Sequence, residues 1–598
     1  MYLRVILVTA AASAAVAAAV PHRISIDTTT ALVILVTAAA SAAVAAAVPH
    51  RISIDTTTAL ARTSGHYTCW NIDASSNRGF FQRNLSPSKP LGAQLARQAR
   101  AISIGQSDGH SLLRFGGGGN DMLLYEMDPA VTHCPPPNAP TAHCLNATTL
   151  TSLLDFARAA QAKIIFGIAQ PKWLPKVNAT TPFVPWVPNN ARAMLKWIIG
   201  RDDDDLLYAL ELGNEVDGFN SGAQQAVNLQ ILHDLTVELW PAPASRRPLL
   251  LGPDAAHQNS TRPHKPSSRD AYVGDFLAAA AQNKLPIHGA TLHKYISVTS
   301  AQDTDGLRLD ETTARLTSYA ATVADGWSRG GGTEADAPRP WCGECGPHTG
   351  GCVEAEGPTC RECDHTSMRW ATFGDSLWYV DALASAARLS YETFCRQDYI
   401  GIDYGLVDCA TGLPLPDYWS AVVWSRLTGD VVLNAISLNS SGTRSETLRA
   451  YAHCAAMGTT PSAVAEPGSV TLVVINLGST TVEAGVDITA GASLGGGGDG
   501  AAWVATSSSV ATLYQLTPRN EPGSGLTNAT GLNGTGVALN GAPLILTAGG
   551  AVPDVGLLGV NQSASEPLEL PPTSITFVVL HGAASALCEG RRSPELRR

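Results

Sequence analysis

AKIIFGIA (162–169), NARAMLKWIIG (190–200) and LLYALELGNE (206–215) follow one another along the chain. The outer two are short apolar runs and the middle one has a helical pattern, so the three read as strand, helix, strand. A buried strand that returns through a helix implies a parallel sheet. The same alternation extends in both directions. Further strands are predicted at YTCWNID (67–73), SLLRFGG (111–117), PLLLGP (248–253), GATLHKY (289–295), RPWCGE (339–344) and ETFCRQDYIG (392–401). Helical patterns lie between them, among them residues 150–161, 271–283 and 376–390. Eight such units between residues 66 and 430 predict an α/β fold, a (β/α)8 TIM barrel with loop insertions.

The texture changes at about residue 431. SVTLVVINL (469–477), APLILTA (542–548) and SITFVVLHG (574–582) are strand-like, and Gly, Ser, Pro and Asn separate them. Residues 431–590 are therefore expected to form a C-terminal β-sandwich. The Gly- and Asn-rich stretch 492–541 reads as long loops within it.

Of 598 residues, 45% are hydrophobic and 15% charged, which suits a large packed core rather than general disorder. A formal net charge of −11 argues against a nucleic-acid binder. Residues 1–48 read as a signal-peptide region, with basic Arg4, an apolar Val5–Val20 and small residues at Ala17–Ala19. Residues 5–32 recur unchanged as 33–60, which reads as a recent duplication or a gene-model error and not as a solenoid. The apolar run is too short to anchor the chain strongly in a membrane. Sequons at Asn84, Asn146, Asn178, Asn259, Asn439, Asn528, Asn533 and Asn561, with 12 Cys, fit an exported, disulfide-bonded glycoprotein.

In a barrel of this kind the site lies at the C-terminal strand ends. Glu215 ends the fourth predicted strand, next to Asn214, and Glu344 ends the seventh. Two carboxylates that face each other across a barrel mouth are what retaining glycoside hydrolysis requires. One donates a proton to the leaving oxygen and the other attacks the anomeric carbon, at a separation of about 5–5.5 Å. A lone strand-end glutamate would more simply pair with a surface lysine. The Asn-Glu dipeptide and a second glutamate three strands later favour the catalytic reading.

ALELGNEVDGF (209–219) and RPWCGECGPHTGG (339–351) resemble the acid/base and nucleophile motifs of glycoside hydrolase family 79, the heparanase family. SLLRFGG, GPD (252–254), TLHKY (291–295), RQDYIGIDYGLVD (396–408), PLPDYW (414–419), LRAYAHC (448–454) and SITFVVLHGAASALC (574–588) resemble family segments in the same order. The resemblance implies that Glu215 is the acid/base and Glu344 the nucleophile. It implies that Asn214 binds the sugar 2-hydroxyl and Tyr404 the glucuronate carboxylate. Asp73 would bind sugar hydroxyls, and His293 and Tyr295 would line the pocket and orient the nucleophile. Gly350 and Gly351 would approach the sugar acid with their backbone. It also implies that residues 49–60 return as a strand to complete the sandwich, and that Cys454 and Cys588 staple it.

The chain departs from the family around Glu344. Cys342, Cys345, Cys352, Cys360 and Cys363 cluster there, with His348 and His365 nearby, and Thr349 stands where the family has a tyrosine. Their spacing fits either a zinc ribbon or disulfides, and an exported chain favours disulfides. The basic strip Thr261–Arg269 is thin, so a glucuronate-containing polysaccharide, sulfated or not, is the expected partner. Arg201–Asp205 reads as a solvated acidic loop. The resulting expectation is a secreted, monomeric retaining β-glucuronidase in an extracellular-matrix, membrane-associated or lysosome- or vacuole-like setting. It needs no metal or cofactor. The alternatives are a catalytically weak glycosaminoglycan-binding protein and a barrel glycosidase for another sugar.

Overall fold

The computed structural model describes residues 50–589, except 75–84, 131, 133, 135–142, 171–182, 258–266, 296–304, 348–371, 402–403, 409–410, 458–464, 490–501, 504–509, 520–530 and 584. The duplicated N-terminal segment up to residue 49, the basic residues Arg262 and Lys265, and the sequons at Asn84, Asn178, Asn259 and Asn528 lie outside the described residues.

β1 (His50–Arg62) leads into β2 (Thr68–Asp73) and β3 (Ser111–Gly116). A small parallel pair follows, β4 (Leu123–Glu126) and β5 (His143–Asn146). Then come β6 (Ala162–Ile168), β7 (Leu207–Leu212), β8 (Leu249–His257), β9 (Gly289–Tyr295), β10 (Arg339–Gly346) and β11 (Thr393–Arg396). β2, β3 and β6 to β11 close a barrel of eight parallel strands, as the sequence predicts. Helices such as Ala147–Ala159, Asn189–Ile199, Ser267–Gln282 and Phe373–Arg388 return the chain between strands. Their starts are set locally. Asn146 accepts from the Thr149 N–H, and Ser221 forms a capping box with Gln224 that opens helix Gly222–Leu239.

The barrel interior is filled by Cys69, Leu112, Ile165, Ala209, Leu251, Trp341 and Cys395. Cys69 and Cys395, on neighbouring strands, are disulfide-bonded. Cys134 is bonded to Cys144, closing the local loop between β4 and β5.

The C-terminal part forms a 12-stranded sheet with β1. Its strands are β12 (Thr428–Leu438), β13 (Leu448–Ala455), β14 (Val470–Asn476), β15 (Val482–Thr489), β16 (Ala502–Trp503), β17 (Val510–Arg519), β18 (Gly536–Leu539), β19 (Ala542–Pro543), β20 (Val560–Ser563), β21 (Leu568–Leu570) and β22 (Ser574–Leu580). β1 lies between β12, which it meets antiparallel, and β15, which it meets parallel. Alternation sorts the side chains of this sheet. Leu472, Val474, Val578 and Leu580 join Ile52 and Ile54 in the sheet's own core. Val473, Ile475, Phe577 and Val579 pack with the barrel helices.

Two expectations need correction. The stretch 492–541 contains β17, a strand of 10 residues that pairs with β22; Ala511 and Leu513 are buried on one face and Tyr514 and Leu516 on the other, despite the Gly-rich flanks. The 201–205 run is not simply solvated. Asp203 and Asp204 are buried; Asp203 accepts from Arg158 and Arg201, and Asp204 from Trp240 and Arg246. Among the described residues no helix is long and apolar enough to cross a membrane.

Cys454 and Cys588 are bonded across 134 residues, joining β13 to the end of the sheet. Closing so long a loop contributes up to about 5 kcal/mol in the chain-entropy model. Replacing both by Ala is expected to lower the free energy of unfolding by about 2–5 kcal/mol, read as an earlier midpoint in denaturant titration of the purified chain.

Candidate active site

Three strand ends bring the central groups together. β7 stops at Leu212, and Gly213, Asn214 and Glu215 turn outward from it. Gly213 has φ +74° and Glu215 φ +52°, both in the left-handed region. Gly213 meets that requirement without strain. Glu215 adopts it at a cost, with its N–H held by the Asp254 carbonyl at 2.9 Å. Glu344 lies within β10, and His293 and Tyr295 lie on β9.

Arg114, on β3, is the hub. Its Nε donates to Glu211 Oε2 at 2.7 Å, and one terminal nitrogen donates to Glu344 Oε2 at 3.0 Å. The other donates to Asp254 Oδ2 at 2.8 Å and Asn214 Oδ1 at 3.3 Å. The Asn214 amide oxygen is thereby committed, and its nitrogen is left to donate. Tyr295 donates its hydroxyl to Glu344 Oε1. Both oxygens of Glu344 are thus held by donors.

His293 forms a second line of contacts. Its Nε2 lies 2.6 Å from Asp254 Oδ1 and its Nδ1 lies 3.0 Å from Glu215 Oε1. Burial opposes charge on this ring, but Asp254 and Glu344 outweigh it and raise its pKa well above the usual histidine value. Asp254 is likewise opposed by burial, yet Arg114 and His293 hold its pKa below the ordinary range. Glu211 goes the other way. Burial first, and then Asp254, push its carboxyl to about 7 against the pull of Arg114. Its Oε1 has no hydrogen-bond partner among the described residues, which favours the neutral form.

Glu215 is the more open of the pair, its side chain 31% exposed against 7% for Glu344. One oxygen of each and a ring nitrogen of His293 lie within 4.8 Å of one another. A cation could reach this trio by distance alone. The Glu344 oxygens already accept from Arg114 and Tyr295, however, and a guanidinium beside the site disfavours a metal.

Asp73, at the end of β2, accepts from Gln397 Nε2 at 3.2 Å and is buried. Gly117, at φ +90°, has no Cβ where Asp73 crowds its Cα. Tyr404 is buried, and its pKa is raised first by burial and then by Asp398 and Glu344, so it keeps its phenolic proton. Its carbonyl is held at 2.9 Å by Arg396, a buried guanidinium that also donates to Asp375 and Asp417. Gly350, Gly351, Cys352, Cys360, Cys363, His348 and His365 lie outside the described residues. Cys342 and Cys345 are bonded to each other.

Residue-by-residue reading gave no role to Arg114, Glu211, Asp254 or Asp121, which accepts from the Asn214 and Gln170 N–H groups. One signal was available for Arg114 and Glu211. Each is an ionisable residue inside an otherwise apolar strand, where burial demands a partner.

The fold is the (β/α)8 barrel shared with solved glycosidases. A family 51 α-L-arabinofuranosidase from Bifidobacterium longum superposes with TM-score 0.55 at 12% identity, over 89% of this chain and 99% of that one. A 4-O-α-L-rhamnosyl-β-D-glucuronidase from Fusarium oxysporum superposes with TM-score 0.53 at 12% identity, over 88% and 100%. Residues 50–262 match the family model "Glycosyl hydrolase family 79, N-terminal domain". Heparanase-like protein 1 of Arabidopsis thaliana is 25% identical over 84% of this chain and 86% of its own length. Baicalin-beta-D-glucuronidase of Scutellaria baicalensis is 32% identical over 35% of this chain and 32% of its own. Heparanase of Rattus norvegicus is 25% identical over 56% and 55%. Residues 50–262 thus match the N-terminal domain of glycoside hydrolase family 79, and the chain is similar to heparanase-like proteins over most of its length.

Glu211 supplies a test of the buried network. Its folded pKa, about 7, lies above the unfolded value, so the folded state holds a proton that the unfolded state has released. Its contribution to stability is complete at low pH and is lost as pH rises towards 7. Glu211→Gln removes that titration. Urea unfolding at pH 4.5 and pH 8 should show the variant gaining on the wild type at the higher pH.

Proposed function

We propose that this chain is a retaining β-glucuronidase, with Glu344 as nucleophile and Glu215 as acid/base. The observation that carries the reading is the approach of one oxygen of each carboxylate to within 4.8 Å of the other at the barrel mouth. Retaining enzymes need about 5–5.5 Å, whereas inverting enzymes need about 6.5–9.5 Å to admit a water.

The roles follow from the environments. Glu344 is held by two donors, Arg114 and Tyr295, and attacks the anomeric carbon as a carboxylate. Glu215 faces the open side and shares a proton with His293 Nδ1. That proton resides on the ring in one form and on Glu215 in the other, with no change in total charge. From Glu215 it passes to the departing oxygen. In the second step Glu215 takes a proton from the attacking water, and the glycosyl–Glu344 ester is cleaved. With Glu211 protonated, the cluster keeps a net negative charge, which complements an oxocarbenium-like transition state.

Tyr404 and Asn214 supply hydrogen-bond donors for the sugar, Tyr404 for the carboxylate of a glucuronoside and Asn214 for the 2-hydroxyl. Asp73 accepts from sugar hydroxyls. Similarity to a baicalin-beta-D-glucuronidase and to heparanases supports the choice of glucuronate. The natural substrate in this reading is a glucuronate-containing glycan or glycoside. Four disulfides among the described residues support an exported protein in an oxidising compartment.

Glu344→Gln is expected to abolish turnover of an aryl β-glucuronide, and NMR of the wild-type reaction should show the β-anomer forming first. Turnover by the variant, or an α-anomer as first product, would overturn the mechanism. Tyr404→Phe removes one hydrogen bond to a charged group, about 1.5–3 kcal/mol. Its kcat/KM should fall about 10- to 100-fold on the glucuronide and stay near wild type on the matching glucoside.

A further inference from the structure

In a regular strand successive side chains point to opposite faces. In β10, Trp341 packs into the barrel interior beside Leu251 and Cys395. Strict alternation would then turn Gly343 and Cys345 inward, and Cys342 and Glu344 outward to the helices. Alternation holds for Cys342 and Gly343 and is reversed for Glu344 and Cys345. Cys342 and Cys345 both pack in the layer between barrel and helices. Glu344 faces Arg114, His293 and Tyr295 inside.

The reversal has a local cause. Against β9, Cys342 aligns with Leu292 and Glu344 with His293, two steps on β10 for one on β9. Against β11, Cys342 aligns with Phe394 and Cys345 with Arg396, three steps for two. Gly343 is the extra residue of a β-bulge, and its carbonyl accepts from Asn71 Nδ2 at 3.1 Å. A one-residue slip that removed the bulge would carry Glu344 to the wrong face.

The bulge also sets the cysteines. Three steps of regular strand span about 10 Å and end on the opposite face. Here the Cα atoms of Cys342 and Cys345 lie 6.0 Å apart, on the same side, and their sulfurs are bonded. A disulfide needs a Cα separation of about 4.4–6.8 Å, so the bond is compatible with the bulged register and incompatible with the regular one.

We propose that the Cys342–Cys345 disulfide is a positioning device for Glu344, locking the Gly343 bulge and thereby holding the carboxylate on the inner face of the barrel. The proposal deepens the reading of Glu344 as nucleophile and rests on it. Asn71 and Tyr295 hold the same segment by hydrogen bonds, which a slip could exchange. The covalent link excludes the slip.

The test uses two full-chain variants, Cys342→Ala/Cys345→Ala and Cys342→Val/Cys345→Val, the second restoring buried volume without the link. On an aryl β-glucuronide, both should lose at least tenfold in kcat while KM stays within about twofold. Crystal structures of either variant should show residues 342–345 in an altered register, or Glu344 turned away from Glu215. A folded variant that keeps kcat within twofold of wild type overturns the proposal. So does a variant structure in which Glu344 keeps its register and its approach to Glu215. If the wild type turns over no glucuronide, the hydrolase reading fails by itself, and the register comparison alone decides the role of the disulfide.

Discussion

Arg114 is a guanidinium sealed inside the protein, with Glu211, Asp254 and Glu344 around it. These groups come from four strands, β3, β7, β8 and β10. Burying one such charge unpaired would cost several kcal/mol. The strands therefore cannot shift independently: a slip of any one removes a carboxylate from a cation that has no water to replace it. The same contacts leave the two catalytic candidates unlike. Glu344 accepts from two donors and is nearly enclosed, while Glu215 meets the far nitrogen of His293 and is the more exposed of the two.

The barrel was legible because its strands are continuous apolar runs of the right length, and every one of the eight falls where the pattern puts it. The phase of two strands was not legible. In β8, as in β10, the register against β9 slips by one residue, here between Gly252 and Ala255. Leu251 faces the barrel interior and Ala255 the helix layer, so Asp254 reaches Arg114 and His293 only because of that bulge. Period-two reading from Leu251 would have pointed Asp254 outward. Bulges are set by pairing across strands, and no local stretch of sequence announces them unless a glycine or a pair of cysteines happens to mark the place.

The sheet tells the same story from the other side. Gly-rich segments surround the ATLYQL run of β17 and mask it as loop, yet Leu513 and Leu516 are buried on opposite faces, one in the sheet's own core and one against the barrel helices. A strand covered on both faces carries little alternation to detect. Resemblance to a family supplied what periodicity could not, namely that the N-terminal strand returns to this sheet. β1 fills a position between β12 and β15 that would otherwise expose two strand edges.

The proton inventory links these structural facts to chemistry. Glu211 and His293 carry shifts of the same sign for different reasons. Burial raises Glu211 to about 7, and neighbouring carboxylates raise His293 well above the usual histidine value. If Glu211 were ionised as well, the charge of Arg114 would be divided among three anions, Glu211, Asp254 and Glu344. A neutral Glu211 still accepts from Arg114 Nε, so it fixes the guanidinium plane without competing for its charge. The positive charge is then directed towards Asp254 and Glu344. In the proposed mechanism, the carboxylate that Arg114 holds is the one that attacks, and the proton beside His293 lies on the side of the acid/base Glu215.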